Sequence, residues 1–133
     1  MAFQFSTDVR NAALDAIETT IGASPTLELR SGAVPATPAT ADSGTLLASM
    51  TLPADWSAAA SAGAKTLAGL WQDLSADAAG TVGHFRIKQA AVCKVQGSVT
   101  ITGGGGDMTI DNPVLAVNQQ VTVTAFTMTA GGA

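Results

Sequence analysis

The chain has 133 residues and a net charge of −4, and only 12% of its residues are charged, about half the usual share. Its length fits one domain that buries a core without metal or disulfide support. Six lysines and arginines are too few for the basic surface of a nucleic-acid-binding protein, and no apolar run approaches the roughly 20 residues of a membrane span.

The first predicted element is a helix behind an N-terminal arm, and together they occupy residues 1–22. Ser6 or Thr7 provides the N-cap, and the glycine that ends the segment suits the C-terminal cap. Helical spacing places mainly apolar groups on one stripe, formed by Arg10, Ala13, Leu14, Ile17 and Ile21. In the arm, Phe3 and Phe5 alternate as in a short strand that could add to a neighbouring sheet. The segment lacks the basic start and apolar core of a signal peptide.

After residue 25 the hydrophobic pattern changes to a period of two, which is typical of strands. Turn residues separate eight short segments with this pattern, at residues 26–31, 45–52, 66–74, 84–89, 92–102, 107–110, 114–117 and 121–130. One helix followed by about seven to eight strands at this spacing predicts a mainly β fold. We expect a β-sandwich, of which the jelly roll is one form, as a single domain over residues 1–133.

Alternation also predicts which side chains face the core. Phe85 and Ile87 are expected to point inward. The polar residues around them are expected to face solvent, namely His84, Arg86 and Lys88. In the third predicted strand, Leu67, Gly69 and Trp71 fall on one face, so Trp71 is predicted to be a core residue.

The longest predicted strand places Cys93 with Val95 and Val99 on the inward, apolar face. The four glycines at 103–106 then predict a mobile hairpin tip. In the last predicted strand the apolar face switches after Val123, which requires either a bulge or cover on both faces.

No catalytic constellation stands out, and each chemical motif has a more common structural explanation. Cys93 and His84 could form a nucleophile–base pair, but a free thiol on an apolar strand face is usually a buried one. The glycine run lacks the following helix that a phosphate-binding loop needs. Asp107, Asp111 and Asn112 carry oxygen ligands suited to calcium, yet their spacing fits turns better. We therefore expect no enzymatic activity, no cofactor and no metal.

Contact elements are predicted instead in segments that cannot pack as regular structure. Residues 32–44 carry two prolines among small polar residues and predict an exposed loop, or an arm that extends over a neighbour. Trp56 lies in a loop, where a tryptophan serves equally well as an interface anchor or as a cap on the core. The candidate interface residues are Phe3, Phe5, Val34, Pro35, Pro38 and Trp56.

Several segments resemble small proteins encoded among the structural genes of tailed bacteriophages and prophages. The resemblance lies in the opening MAFQFSTDVRNAALDAIETTIG with TLELRSGAVP, in GHFRI and GGGGDMTIDN, and in the closing VTVTAFTMTAGGA. It spans nearly the whole chain and rests on overall pattern, so no functional residue carries over from it. It implies a virion component made in the bacterial host. Capsid decoration (cement) proteins are similar in their small size, β-rich fold and low charge.

The resulting expectation is a non-enzymatic decoration subunit that stabilises the phage head by bridging major capsid subunits. Its partners would be the major capsid protein or other virion proteins and further copies of itself, as a dimer or trimer. Nucleic acid and membranes are not expected among them. A tail, neck or fibre-associated virion protein is the alternative within this class. A module that binds surface glycans or the host is the alternative from another class.

Overall fold

Strands form most of the regular structure in the computed structural model, which describes residues 3–132. The N-terminal helix α1 spans Thr7–Ile21 with Ser6 as N-cap and Gly22 as C-cap, which confirms the predicted helix. Nine strands follow, where seven to eight were predicted, and the mainly β fold is confirmed. They are β1 (Thr26–Ser31), β2 (Leu46–Thr51), β3 (Ala64–Thr66), β4 (Gln72–Asp73), β5 (Gly80–Gln89), β6 (Val92–Ile101), β7 (Met108–Ile110), β8 (Val114–Leu115) and β9 (Val121–Thr129).

The strands form one curled sheet in the order β2-β1-β5-β6-β7-β9-β3, with β4 added to β9 and β8 added to β5. Neighbouring strands are antiparallel except β6 and β7, which run parallel. β2, at one end of the sheet, meets β4, which is paired with β9 near the other end, because the backbone N–H of Ser49 donates to Asp73 Oδ2 at 3.1 Å. The curled sheet therefore encloses one core between its two halves, as the layers of a sandwich do.

A cluster of buried side chains fills the space inside the curled sheet. Phe85 from β5 meets Phe126 from β9 edge to face, with ring centroids 5.4 Å apart. Trp71 lies 5.6 Å from Phe126, and Trp56 lies 6.2 Å from Trp71. Because such aromatic pairs bury large apolar areas, they stabilise the contact between the two halves of the sheet.

A bulge in β6 changes the face on which one candidate residue lies. Ile87 of β5 pairs with Val95, but the next residue, Lys88, pairs with Cys93, so Lys94 is an extra residue in β6. Side chains alternate along a strand, and the extra residue therefore moves Cys93 to the outer face of the sheet. The prediction that Cys93 shares the apolar face with Val95 is wrong.

A second bulge explains the switch of face in β9. Thr124 is an extra residue between the pairs that β9 makes with β7. Val121, Val123 and Phe126 consequently all point into the core. Of the two alternatives that the sequence left open for this strand, the bulge is the correct one.

The predicted strand at 66–74 is wrong. β3 ends at Thr66 and β4 begins at Gln72, and the residues between them form an irregular turn in which Gly69 has a φ of 74°. Trp71 is buried as predicted, and its indole N–H donates to a carbonyl oxygen of the same turn at 3.0 Å. The alternating pattern at this position thus reflects a tryptophan that is buried from a turn and not from a strand.

The glycine run at 103–106 does not form a hairpin tip. Because β6 and β7 are parallel, residues 102–107 reverse the chain direction twice. Gly103 and Gly105 have φ values of 84° and 82°, a backbone conformation that favours glycine. The run packs against Thr100, whose Oγ1 accepts a hydrogen bond from Gly106 N at 3.0 Å. The prediction of a hairpin at this position is therefore wrong.

Helix α1 docks beside β3 through buried polar contacts. The Lys65 ammonium, only 2% exposed, lies 2.7 Å from Asp15 Oδ1 and 2.9 Å from Glu18 Oε2. Glu18 also accepts a hydrogen bond from the Ser57 hydroxyl at 2.8 Å. Burial would lower the pKa of Lys65, but the two carboxylates outweigh burial and raise it. The ammonium is therefore charged at neutral pH and holds the helix in place.

Candidate functional site

Loop 32–44 folds back on its own sheet. Its carboxylate residue, Asp42, accepts hydrogen bonds from Arg86 Nη1 at 2.5 Å and from Lys88 Nζ at 2.6 Å, and Arg30 Nη2 lies 3.3 Å away. These side chains meet on the outer face of β1, β5 and β6. We call the polar side chains that meet between the loop and the sheet the polar layer, and its members are Glu28, Arg30, Asp42, His84, Arg86, Lys88 and Cys93.

Arg86 makes the most hydrogen bonds in the polar layer. Its Nη2 donates to the carbonyl oxygens of Pro38 and Thr40 at 2.7 and 3.0 Å, and its Nε lies 3.3 Å from Cys93 Sγ. The side chain is only 2% exposed. The expectation that Arg86 faces solvent is wrong, because the loop supplies both the cover and the acceptors that a buried guanidinium needs.

Charge-assisted hydrogen bonds hold the loop on the sheet. The hydrogen bond from Lys88 is the main reason that the pKa of Asp42 lies below its usual value; burial opposes it, but Arg30 and Arg86 add to the lowering and the pKa falls overall. Burial would lower the pKa of Lys88, but its hydrogen bonds to Asp42 and Glu28 raise it overall. Both groups are therefore charged at neutral pH, which strengthens the contact between them.

His84 and Cys93 do not form a catalytic pair. His84 lies opposite Ser98 in the strand register, whereas Cys93 lies opposite Lys88, so the two occupy different levels of the sheet. His84 is fully buried, and its Nδ1 lies 2.9 Å from the carbonyl oxygen of Gly32. The prediction of a solvated His84 is wrong, since this ring fastens the beginning of the loop to β5.

The candidate contact residues of loop 32–44 differ in their exposure. The carbonyl of Pro35 accepts a hydrogen bond from Gln96 Nε2 at 2.8 Å, and both Val34 and Pro35 are half-buried. Pro38 is exposed at the turn of the loop. The loop is thus a fixed surface that presents Pro38 outward, and it lies on its own sheet instead of reaching away from it.

Trp56 is a core residue. Its side chain is fully buried, and its indole N–H donates to the carbonyl oxygen of Gly22 at 3.0 Å, which ties the end of α1 to the loop that carries the tryptophan. Of the two alternatives for Trp56, the structure shows the cap on the core, so its assignment as an interface anchor is wrong. Since Trp71 is buried as well, neither indole offers a free face for stacking on a sugar.

The N-terminal arm is an exposed apolar feature. Phe3 is 77% exposed and Phe5 is 46% exposed. Their rings meet edge to face with centroids 5.4 Å apart. The backbone N–H of Phe5 donates to the carbonyl oxygen of Gly132 at 2.7 Å, so the arm lies against the C-terminal segment. Two aromatic rings are therefore presented outward from a fixed point.

The aspartates considered as calcium ligands stabilise turns. Asp107 Oδ2 accepts a hydrogen bond from the backbone N–H of Ser98 at 2.9 Å. Asp111 Oδ1 accepts from the backbone N–H groups of Asn112 and Thr122 at 2.9 and 3.0 Å. Within residues 3–132, no three histidine, cysteine or carboxylate side chains form a group that could hold a metal ion.

Local sequence patterns do not reveal Asp42 and Glu18, the two acidic residues that fasten the loop and the helix. Their buried partners, Arg86 and Lys65, come from distant segments, and no period relates positions so far apart. The one available signal for Asp42 is that it is the only charged residue in a long stretch of small side chains. A lone charge in such a loop indicates a specific partner.

Comparison with known proteins adds no family to this description. No protein-family model, no curated protein and no solved structure matches the chain. The helical part of residues 3–132 lacks the length and hydrophobicity needed to cross a lipid bilayer. A functional proposal therefore rests on the surface of the chain and on its sequence.

Proposed function

We propose that this chain is a non-enzymatic structural subunit that binds the outside of a phage capsid as a decoration (cement) protein. The observation that carries the proposal is the N-terminal arm, which presents Phe3 and Phe5 outward from a fixed point at Gly132. Aromatic side chains are enriched where proteins contact one another, because they bury a large apolar area. The sequence resemblance to phage structural proteins supplies the kind of particle.

The distribution of charge supports the same proposal. Four of the six basic side chains form ion pairs within the chain, namely Arg30, Lys65, Arg86 and Lys88. The same ion pairs take up four of the ten acidic side chains, Asp15, Glu18, Glu28 and Asp42, so the surface left for partners carries few charges. Since charge repulsion keeps proteins apart in solution, such a surface favours close packing beside other subunits.

A decoration subunit would act by joining neighbours in a lattice. The rigid β body rests on the shell, and the arm contacts the adjacent subunit, so that separating the two requires both contacts to break. Each copy buries a modest area, and many copies on one lattice raise the overall avidity. The shell then resists the internal pressure of its DNA more strongly.

The groups that could support chemistry serve structural contacts, which favours a non-enzymatic role. Cys93 and His84 lie at different levels of the sheet, and each is bound within the polar layer. The alternative of a glycan-binding module gains no support from Trp56 and Trp71, since both are buried. A tail or neck protein would use the same kind of surface and differs from a decoration protein in copy number.

Copy number is the first test of the proposal. Quantitative mass spectrometry of purified phage particles measures the ratio of this chain to the major capsid protein. We expect a ratio comparable to that of the shell subunit. A very small ratio would move the protein to the neck, the tail or a vertex, and its complete absence from particles would contradict a role in the virion.

A matched pair of variants tests the arm on the particle. Phe3→Ser should lower retention on shells about tenfold or more, because truncating a central aromatic contact costs at least 1–2 kcal/mol, in order of magnitude. Val114→Ser removes an apolar side chain of β8 that is 61% exposed and should leave retention unchanged. Equal retention of both variants in a co-sedimentation assay would show that the arm is not a contact element.

A further inference from the structure

An apolar groove runs between α1 and the beginning of β6. It encloses about 310 Å³. On the strand side it is lined by Lys94 and Val95, and on the helix side by Ala13, Ala16, Ile17, Thr20 and Ile21. Two alanines on the exposed face of α1 leave room where larger side chains would fill the space.

This face of α1 is the one that the rest of the chain leaves uncovered. The helix docks beside β3 through its polar face, which carries Asn11, Asp15 and Glu18. Residues spaced three, four and seven apart share a helix face, and by this spacing Ala13, Ala16 and Thr20 lie on the opposite side. Ile17 and Ile21, which also line the groove, pack with the core, whereas Ala13 and Ala16 are exposed.

The chain's own arm lies on the other side of the helix. Phe5 is hydrogen-bonded to Gly132, and close to it Ala130 N donates to the carbonyl oxygen of Gly63 at 3.1 Å. Gly63 N in turn donates to Asn11 Oδ1, on the polar face of α1, at 2.9 Å. An arm in the groove must therefore come from another copy.

Charge complementarity points to the same occupant. Lys94, at the rim of the groove, is exposed and forms no ion pair within residues 3–132. The arm is followed directly by Asp8, an exposed carboxylate whose side chain contacts Ser6 and no cation in the same range. An apolar cleft with a cation at its rim thus matches an aromatic arm with an anion at its base.

We propose that the groove receives the N-terminal arm of a second copy of this chain, with Phe3 inside it and Asp8 beside Lys94. The inference rests on the proposed function in taking the arm as the contact element, and it identifies the adjacent subunit. Reciprocal exchange of arms closes a dimer with two-fold symmetry. The two Phe3 rings then bury at most about 300–500 Å², and with the surface of the two grooves this makes a small interface of the kind found in weak, concentration-dependent dimers.

Sedimentation of the purified full chain over a concentration series measures this association. We expect a concentration-dependent dimer. Phe3→Ser, which empties the groove, and Ala16→Glu, which places a charge inside it, should each weaken association about tenfold or more. The matched control is Ala12→Glu, because Ala12 is an exposed alanine of the same helix outside the groove. Circular dichroism confirms that each variant is folded.

A charge exchange tests the partner and the orientation. Lys94→Glu and Asp8→Lys should each weaken association about two- to fivefold, as expected for an exposed ion pair. Combining them restores the opposite charges and should recover most of the loss. Recovery requires that Lys94 of one copy meets Asp8 of another, which general effects of charge on solubility cannot imitate.

Several results would overturn the inference, and they are separable from failure of the proposed function. A chain that stays monomeric throughout the series, or a dimer that Ala12→Glu weakens as much as Ala16→Glu does, excludes arm exchange. If a monomeric chain is nevertheless abundant on particles, the inference fails and the decoration role stands. If the chain dimerises through the groove but is absent from particles, the inference stands and the decoration role fails.

Discussion

Arg86 keeps its charge inside the protein because each of its nitrogen atoms faces an acceptor. Asp42 neutralises the guanidinium, the carbonyl oxygens of Pro38 and Thr40 accept from Nη2, and Cys93 Sγ accepts from Nε. The cost of leaving a buried donor unpaired is larger than the gain from making an average hydrogen bond. Removing one acceptor around Arg86 should therefore lower the free energy of unfolding by more than the contribution of an average hydrogen bond.

The contact between Cys93 and Arg86 leads to a prediction about the thiol. Cys93→Ser should change the free energy of unfolding by no more than about 0.5 kcal/mol, because a hydroxyl accepts from Arg86 Nε and donates to the carbonyl oxygen of Val95 as the thiol does. Cys93→Val has a similar shape but no acceptor, and it should lower the free energy of unfolding by about 1–2 kcal/mol. Urea denaturation measures both variants. Equal stability of the two would show that the thiol is not a required acceptor.

Alternation along a strand predicts the inner face of β5 correctly and the outer face incorrectly. Phe85 and Ile87 are in the core as expected, since the period of two is a local property of the strand. His84 and Arg86 are buried too, because a loop more than forty residues earlier covers them. No local pattern contains that information. For Cys93 even the face is inverted, because one extra residue in a bulge is not visible in the pattern.

At the scale of elements, loop 32–44 is a segment without regular structure that is nevertheless fixed. Its beginning is held by His84 through Gly32, its middle by Gln96 through Pro35, and its end by Asp42. Only the last of these attachments is an ion pair. The end of the loop is therefore sensitive to pH through the Asp42 carboxylate.

Acid should release the end of this loop. The pKa of Asp42 is lower in the folded chain than in the unfolded chain, mainly through the hydrogen bond from Lys88. Its stabilising contribution is therefore complete above the unfolded value, near pH 4, and is lost as the pH falls through the lower, folded value. We expect the amide resonances of residues 38–44 to be constant from pH 7 to about pH 4 and to shift below it in an NMR titration.

A neutral variant reproduces the acid form at neutral pH. Asp42→Asn should give the acid-type resonances of the loop at pH 7, because Arg86 and Lys88 then face an uncharged amide. Asp77→Asn changes an exposed carboxylate on another segment and should leave the loop resonances as they are. Loop resonances that do not shift in the Asp42→Asn variant would mean that the carboxylate does not hold the loop.

Elements were predictable where the local pattern agrees with the final contacts. Helix α1 has its cap residues and β1 its clean alternation, and both occur at the predicted positions. The segment at 66–74 was not predictable in the same way, because Gly69 breaks the strand while Trp71 keeps the spacing of an inward residue. The groove beside α1 was also beyond local patterns, since it exists only where the helix meets β6. Of the candidate site, the sequence indicates the aromatic arm but not the surface that fits it.

At the scale of the whole molecule, the sheet closes on itself where β2 meets β4, and this contact protects an edge strand. An uncovered edge strand presents N–H and C=O groups that can pair with another chain and lead to aggregation. In β2 this edge is covered, because Ser49 N donates to Asp73, and Asp77 N donates to the carbonyl oxygen of Leu47 at 2.7 Å. Closure of the sheet thus keeps the edge of β2 from pairing with a strand of another chain.

Opening this closure should cause aggregation. Asp73→Ala removes the acceptor of Ser49 N and of Ser75 N, which should lower the free energy of unfolding by about 1–2 kcal/mol and speed aggregation on mild heating. Asp73→Asn keeps one acceptor oxygen and should show a smaller effect of both kinds. Thermal denaturation followed by light scattering measures them together. An Asp73→Ala protein that unfolds at lower temperature without faster aggregation would show that the edge of β2 needs no cover.

The central position of β5 also has a consequence for how the chain reaches its fold. Synthesis delivers β1, loop 32–44 and β2 well before β5, so a growing chain at that stage holds one hairpin and a carboxylate whose only nearby cation is Arg30. The arrival of β5 brings the strand that pairs with β1, the apolar side chains of the inner face and the two cations of the outer face, Arg86 and Lys88, in one step. Because these contacts are distant in sequence, their formation is slow compared with local pairing. Release of β5 from the ribosome thus allows the half of the sheet formed by β2, β1 and β5 to assemble, whereas the core is completed only when β9 supplies Phe126.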